Sequence, residues 1–353
     1  MRSFSAVKGL VPALLVAIAM PAWSGQVIEP LKEALELHEA GKVREAIRLY
    51  DTVIKNRPKL AEAYFNRGNA YYDLGQNQHA VKDYSEVIRL APKDAEAYFN
   101  RGNAYRRLKQ NQAAITDYGF AIKLNPQDVR SYINRGSLHF DARRYEAALK
   151  DFSEAVRLNP SDAEAHYNRA NSYLALNRKE EAIGDYTEAL ARDGELIDAY
   201  YNRGIAYSDA GQIEEAIADF GAVIKRNPKF AEAFYNRALA KVRLGRYESA
   251  VDDYSEALRL DPDDPEATFN RGFAYLRLEK YDYAARDFSE VIRRQPRSPQ
   301  AYVYRGLARV YQNREKEADA DFLKAFQLDP SLKKNIQPLI EEAKAHTKGQ
   351  NGK

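Results

Sequence analysis

An all-α stack of helical hairpins is the fold class this sequence predicts, and three observations predict it. The stretch AEAYFNRGNAY at 61–71 returns letter for letter at 95–105, a spacing of 34. Counted from Ala61, residues 27–332 divide into nine units of 34 without insertion or deletion. Within a unit the apolar residues recur at i, i+4 and i+7, the spacing of one helical face, in two successive stripes. A period of this length marks a supersecondary unit that cannot bury its stripe alone and must stack on its neighbours.

The first residues stand apart from that pattern. Arg2 and Lys8 precede the apolar run GLVPALLVAIAM, and Pro21 with Ala22-Trp23-Ser24 follows. This is the layout of a secretory signal peptide over 1–24, cut after Ser24. The alternative, an uncleaved anchor, has an apolar run short of the roughly 20 residues that span a bilayer. The expected location is therefore exported, periplasmic or secreted, in a bacterial cell. The 353-residue chain is 45% hydrophobic and 30% charged, enough apolar content for a large core. Its formal charge is +3, and loss of Arg2 and Lys8 leaves 52 basic against 51 acidic residues. That near balance gives no reason to expect nucleic acid or anionic lipid as a partner, so a membrane is reached only by way of another protein. The absence of cysteine excludes disulfides, a lipid-modified cysteine and thiolate metal sites.

The nine units run 27–60, 61–94, 95–128, 129–162, 163–196, 197–230, 231–264, 265–298 and 299–332. In the second, Tyr64, Gly68 and Tyr71 form the stripe of a first helix, and Ala80, Tyr84 and Val87 that of a second. The twentieth residue is alanine in all nine, from Ala46 to Ala318, and an aromatic follows four later, from Tyr50 to Phe322. Small residues such as Gly68, Gly102 and Ala170 allow close backbone approach, and Pro92 ends the second helix. Asp94 is placed to cap the next helix. The first unit is the least regular, with Pro30, Ala34 and Leu37 where later units carry the aromatic, small and tyrosine residues. After the ninth, Ile336, Leu339, Ile340 and Ala343 form one last stripe, read as a capping helix over 333–346, with a frayed, disordered tail at 347–353.

These spacings resemble the tetratricopeptide repeat over residues 27–332. The resemblance implies a right-handed α-solenoid superhelix of nine helix-turn-helix repeats, with a long concave inner face that binds other proteins.

Two charged positions repeat together. The seventh residue is arginine in the last eight units (Arg67, Arg101, Arg135, Arg169, Arg203, Arg237, Arg271, Arg305), and the twenty-third is aspartate (Asp83, Asp117, Asp151, Asp185, Asp219, Asp253, Asp287, Asp321). The first unit lacks both, having Glu33 and Leu49. Joint presence and joint absence point to structural ion pairs between helices. A row of arginines gripping an anion is the weaker reading, since an equal number of aspartates is at hand.

On the opposite face, the sixth residue is asparagine in seven consecutive units: Asn66, Asn100, Asn134, Asn168, Asn202, Asn236 and Asn270. A carboxamide both donates and accepts, so such a row can pair with the backbone of an extended peptide whatever its sequence. The row resembles the asparagine ladder in the repeat superhelix of O-linked N-acetylglucosamine transferases, although no residues remain here for a transferase domain. The competing reading is a solvated helix face. Acids at the second residue, such as Glu62, Glu96 and Glu232, are accounted for by the helix dipole. Aromatics at the fifth residue, Phe65, Phe99, Tyr167, Tyr201, Tyr235 and Phe269, add to the expected groove. The ninth residue passes from polar (Asn69, Asn103, Ser137, Asn171) to apolar (Ile205, Leu239, Phe273, Leu307). Two readings stand for Leu239 and Phe273: contact with a partner's apolar side chains, or packing against neighbouring helices.

Catalytic motifs are missing. His38, His79, His139, His166 and His346 are scattered without metal-ligand spacing, and His139 and His166 read as core residues. There is no phosphate loop, zinc-protease motif or nucleophile elbow. The expectation is a non-enzymatic scaffold, without cofactor or metal, that binds a protein or peptide in its groove and supports an envelope or exported assembly. A self-assembling repeat protein and an accessory factor of polysaccharide export are the alternatives.

Overall fold

The structure is a computed structural model that describes residues 29–351. The signal-peptide segment 1–24 lies outside the described residues. The chain separates into two compact units that divide after Pro126. The first contains three hairpins: α1 (Glu29–Glu39) with α2 (Val43–Asn56), α3 (Ala61–Asp73) with α4 (Asn77–Leu90), and α5 (Ala95–Arg107) with α6 (Asn111–Leu124). The second contains six: α7 (Val129–Asp141) with α8 (Tyr145–Leu158), α9 (Ala163–Ala175) with α10 (Lys179–Arg192), α11 (Ile197–Asp209) with α12 (Ile213–Arg226), α13 (Ala231–Arg243) with α14 (Tyr247–Leu260), α15 (Pro265–Arg277) with α16 (Tyr281–Arg294), and α17 (Pro299–Tyr311) with α18 (Glu315–Leu328). A last helix, α19 (Leu332–Asn351), packs on α17 and α18.

Each hairpin closes on the small residues anticipated from the sequence. All nine alanines from Ala46 to Ala318 are fully buried, with the aromatics from Tyr50 to Phe322 beside them. The approach at Gly102 is so close that an added Cβ would meet the Tyr118 ring at 2.8 Å. The hairpin turn places the fifteenth residue of every repeat at φ between 57° and 80°. Gly75 adopts this freely. In five repeats a residue with a Cβ does so, among them Asn177 and Asn313. The helix end demands it: the next backbone N–H returns to the carbonyl five residues earlier, as from Gln76 to Tyr71 O at 2.8 Å. Asp94, Asp162 and Asp264 cap the following helices through backbone N–H groups at 2.9–3.2 Å.

Within the second unit each first helix packs on its own second helix and, from α9 onward, on the second helix before it. Successive first helices α7, α9, α11, α13, α15 and α17 also touch one another, while the second helices make no comparable contact. The first helices therefore line the tighter side of this stack. The first unit shows the same pattern for α1, α3 and α5.

The C-terminal expectation needs two corrections. Helix α19 continues to Asn351 and does not end at 346. The reason is Thr347, which is buried and returns its hydroxyl to Ala343 O at 3.3 Å and Lys344 O at 3.1 Å. The packed stripe is Ile336, Ile340, Ala343 and Thr347, at i, i+4, i+7 and i+11. Leu339 falls off that stripe and is 48% exposed.

Candidate functional site

The arginines at the seventh position come off the first helices at the edge of the core stripe, sixteen residues before their aspartates. All eight reach across the hairpin to form two parallel hydrogen bonds with one carboxylate, through Nε and a terminal nitrogen. In Arg67–Asp83 these are 2.8 and 2.6 Å, in Arg101–Asp117 2.7 and 2.8 Å, in Arg135–Asp151 2.9 and 2.6 Å, and in Arg169–Asp185 2.5 and 2.7 Å. The same pairing holds Arg203–Asp219, Arg237–Asp253, Arg271–Asp287 and Arg305–Asp321. The remaining nitrogen reaches the preceding repeat in several cases, as from Arg203 to Thr187 Oγ1 at 3.0 Å and Arg305 to Ser289 Oγ at 3.2 Å. The Asp151 hydrogen bond holds the Arg135 guanidinium above its ordinary pKa against the opposing effect of burial. These guanidiniums bind the fold and leave no free row for an anion.

The aromatics at the fifth position rest on the buried aromatic of their own second helix. Ring centroids lie 5.9 Å apart in Phe65–Tyr84, Phe99–Tyr118, Tyr201–Phe220 and Tyr235–Tyr254, 6.0 Å in Tyr167–Tyr186 and 5.3 Å in Phe269–Phe288. The ninth residue follows the chemistry of that second-helix aromatic. Where it is tyrosine, an asparagine accepts its hydroxyl: Tyr84 to Asn69 at 2.7 Å, Tyr118 to Asn103 at 2.7 Å and Tyr186 to Asn171 at 2.6 Å. Where it is Phe152, Phe220, Phe288 or Phe322, no acceptor is needed and the ninth residue is Ser137, Ile205, Phe273 or Leu307. Tyr50 and Tyr254 stand opposite Leu35 and Leu239, and each buries a hydroxyl without a partner among the described residues. An asparagine at the ninth position thus always faces a phenol, although Tyr50 and Tyr254 face a leucine instead. Leu239 packs against buried Ala238, Ala250 and Tyr254, and Phe273 meets Tyr304 edge-on at 5.7 Å.

The asparagine row lies on the same first helices, and the nitrogens of Asn100, Asn202, Asn236 and Asn270 are engaged between repeats. Asn100 Nδ2 donates to Asn69 Oδ1 at 3.4 Å. Asn202 Nδ2 donates to Tyr167 Oη and to Asn171 Oδ1, both at 3.1 Å. Asn236 donates to Tyr201 Oη at 2.9 Å and Asn270 to Tyr235 Oη at 3.0 Å. The sixth residue of one repeat therefore reads the fifth and ninth of the repeat before. After Phe269 and Phe273, which offer no acceptor, the sixth residue is Tyr304, whose ring packs on both at 5.5 and 5.7 Å. After Ile133 and Ser137, whose hydroxyl goes to Ile133 O at 2.8 Å, the buried Nδ2 of Asn168 finds no partner. Asn66 is buried behind Leu31 and Leu35 in the same register, and Asn134 is half-buried on α7.

Anchoring takes both N–H groups of Asn202 and one each of Asn100, Asn236 and Asn270, which fixes the orientation of the carboxamide oxygens. Asn202, Asn236 and Asn270 are half-buried, and their Oδ1 atoms accept no hydrogen bond among the described residues. Burial pushes the Tyr167 phenol, which receives Asn202, up to about 12 against the opposing hydrogen bonds of Asn171 and Asn202. His166 is buried, with Nε2 3.2 Å from Pro160 O, the place where Tyr64 puts its hydroxyl against Pro58 O. Among the described residues no group of His, Asp and Glu is arranged to hold a metal ion, and no helix is long and apolar enough to cross a membrane.

Comparisons with known proteins agree with this architecture. A family described as tetratricopeptide repeat matches residues 133–196, 201–265 and 269–332, and a second of that description matches 95–128. One described as TPR repeat matches 34–75 and 68–109. Among solved structures, the C-terminal part of a TPR repeat-containing protein from Cytophaga hutchinsonii is similar at a TM-score of 0.59 and 16% identity, covering 68% of this chain and 98% of that one. A tetratricopeptide repeat protein from Parabacteroides merdae is similar at 0.50 and 22%, covering 70% and 98%. YrrB, a TPR protein described as having an unusual peptide-binding site, is similar at 0.50 and 22%, covering 53% and 97%. These likenesses are of fold. No curated protein matches the sequence.

Proposed function

The chain belongs to the tetratricopeptide repeat family, and from that premise we propose that the first-helix side of its second unit docks an extended segment of another protein. Proteins of this family and fold are typically protein–protein interaction scaffolds and generally non-catalytic. The observation that carries the finer reading is the row of half-buried carboxamide oxygens of Asn202, Asn236 and Asn270. Each is fixed in orientation because its nitrogen is anchored on the preceding repeat. A preoriented acceptor costs little ordering when it receives a backbone N–H, and an array of them reads main chain and not side chains. The partner is held by these oxygens, with Asp198, Glu232 and Glu266 exposed along the same helices. With the signal-peptide pattern of residues 1–24, the docking is assigned to the periplasm or the secreted milieu, in support of an exported or envelope assembly.

Site-specific photocrosslinking tests this. A crosslinking residue at Glu232 or Glu266 lies on the docking side, and one at the half-exposed Glu256 of α14 lies on a second helix. In a periplasmic extract the first two are expected to trap a protein segment that the third does not. Adducts from position 256 alone, or equal adducts from all three, would refute groove docking.

A further inference from the structure

Asn202, Asn236 and Asn270 offer the same acceptor once per repeat, from the sixth residue of α11, α13 and α15. These three helices approach one another within 8 Å between Cα atoms. Helices packed so closely have axes about 8–10 Å apart, and the oxygens, all at one register, recur at about that interval. A segment that gives a backbone N–H to each oxygen has to present N–H groups on one side at the same interval. An α-helix spends its N–H groups on its own carbonyls. A β-strand brings groups to one side every second residue, about 6.6–6.8 Å apart, and a step of three residues, about 10 Å, turns the group to the opposite side. Polyproline II has three residues per turn and a rise of about 3.1 Å, so every third residue returns to the same side about 9.3 Å further on, and no N–H is used internally.

The neighbours of the asparagines fit the same conformation. Tyr201, Tyr235 and Phe269, each one residue before an asparagine, keep half-buried rings on these helices. Aromatic-lined grooves are where proline-rich segments in polyproline II dock, because that helix is formed before binding and little entropy is lost. Asp198, Glu232 and Glu266, each one helical turn before an asparagine, are exposed and take part in no ion pair among the described residues. They supply one negative charge per repeat, complementary to one cation for every three residues of the segment.

We propose that the partner is a basic, proline-rich segment held in polyproline II with a triplet register; this rests on the groove docking of the preceding subsection. One residue in three is lysine or arginine and keeps its backbone N–H for Asn202, Asn236 or Asn270, while proline is accepted at the other two. The test is fluorescence anisotropy of labelled peptides against the full chain at fixed ionic strength. The first peptide is five Lys-Pro-Pro triplets. The second has five lysines followed by ten prolines, the same composition and charge without the register. The third is the first with every lysine backbone nitrogen methylated, which keeps charge and register but removes the N–H groups. The first is expected to saturate, and the other two to bind about tenfold or more weakly, the worth of several backbone hydrogen bonds lost together. Asn236→Ala, with helicity unchanged by circular dichroism, should weaken the first peptide several-fold and leave the third unaltered. No saturation by the first peptide, or equal affinity for all three, overturns the triplet register whatever the variant does. A partner still trapped from positions 232 and 266 would in that case leave groove docking standing, whereas loss of those adducts removes both.

Discussion

The dependence of the ninth residue on the second-helix phenol can be tested at Asn171 and Tyr186. Asn171 Oδ1 accepts from Tyr186 Oη at 2.6 Å and Asn202 Nδ2 at 3.1 Å, and Tyr186 is fully buried. Asn171→Leu strands the Tyr186 hydroxyl in the core, which costs about 1–3 kcal/mol. Asn202 keeps its bond to Tyr167, and its other N–H, on a half-buried side chain, loses the Asn171 acceptor. Tyr186→Phe alone loses one satisfied hydrogen bond, about 0.5–1.5 kcal/mol. The double variant recreates the Phe220–Ile205 type of pair and should lie close to the parent, so the single costs are strongly non-additive. Stacked repeats need not unfold as one cooperative unit, so the readout has to be local. Amide hydrogen exchange across α9, α10 and α11, beside urea titration followed by circular dichroism, supplies it. If Asn171→Leu exchanges as slowly as the parent, or Tyr186→Phe fails to rescue it, the pairing rule is refuted.

Three further expectations follow from the same geometry. Tyr254→Phe removes a buried hydroxyl that has no partner and should stabilise the α13–α14 hairpin by about 1–3 kcal/mol, seen as slower local exchange; a loss of stability would show that the hydroxyl is satisfied. Asp151→Ala leaves Arg135 unpaired on the edge of the core and should cost about 3 kcal/mol, the lower end for a broken buried pair because the arginine side chain keeps 22% exposure. A spectrophotometric titration should show tyrosines that resist ionisation, since burial raises Tyr84, Tyr186 and Tyr254 and holds Tyr167 at about 12. A pKa raised in the folded state means that its stabilising contribution is complete below the unfolded value near 10 and is lost as pH rises toward 12. Phenols that all titrate together near 10 in the folded chain would contradict the burial.

The amino-acid sequence by itself determined the hairpin, its length and its core. A period of 34 with alanine and an aromatic at constant offsets is a statement about contacts within one hairpin, and such contacts are local enough to read from spacing. The same holds for the arginine and aspartate sixteen residues apart, whose joint recurrence predicted a partnership that closes within each hairpin. The packed stripe of α19 was misjudged because Leu339 counts as apolar in any pattern, and its end because the buried Thr347 does not. Whether it is packed depends on the phase of a helix against α17 and α18.

The asparagine row was legible as a row but not in its contacts with the preceding repeat. The nitrogens of Asn100, Asn202, Asn236 and Asn270 reach groups 31 or 35 residues earlier, which meet only when one hairpin is laid on the next. The signal was present in the letters, since asparagine at the ninth position appears only with tyrosine at the twenty-fourth, yet its meaning needed the distance between the two groups.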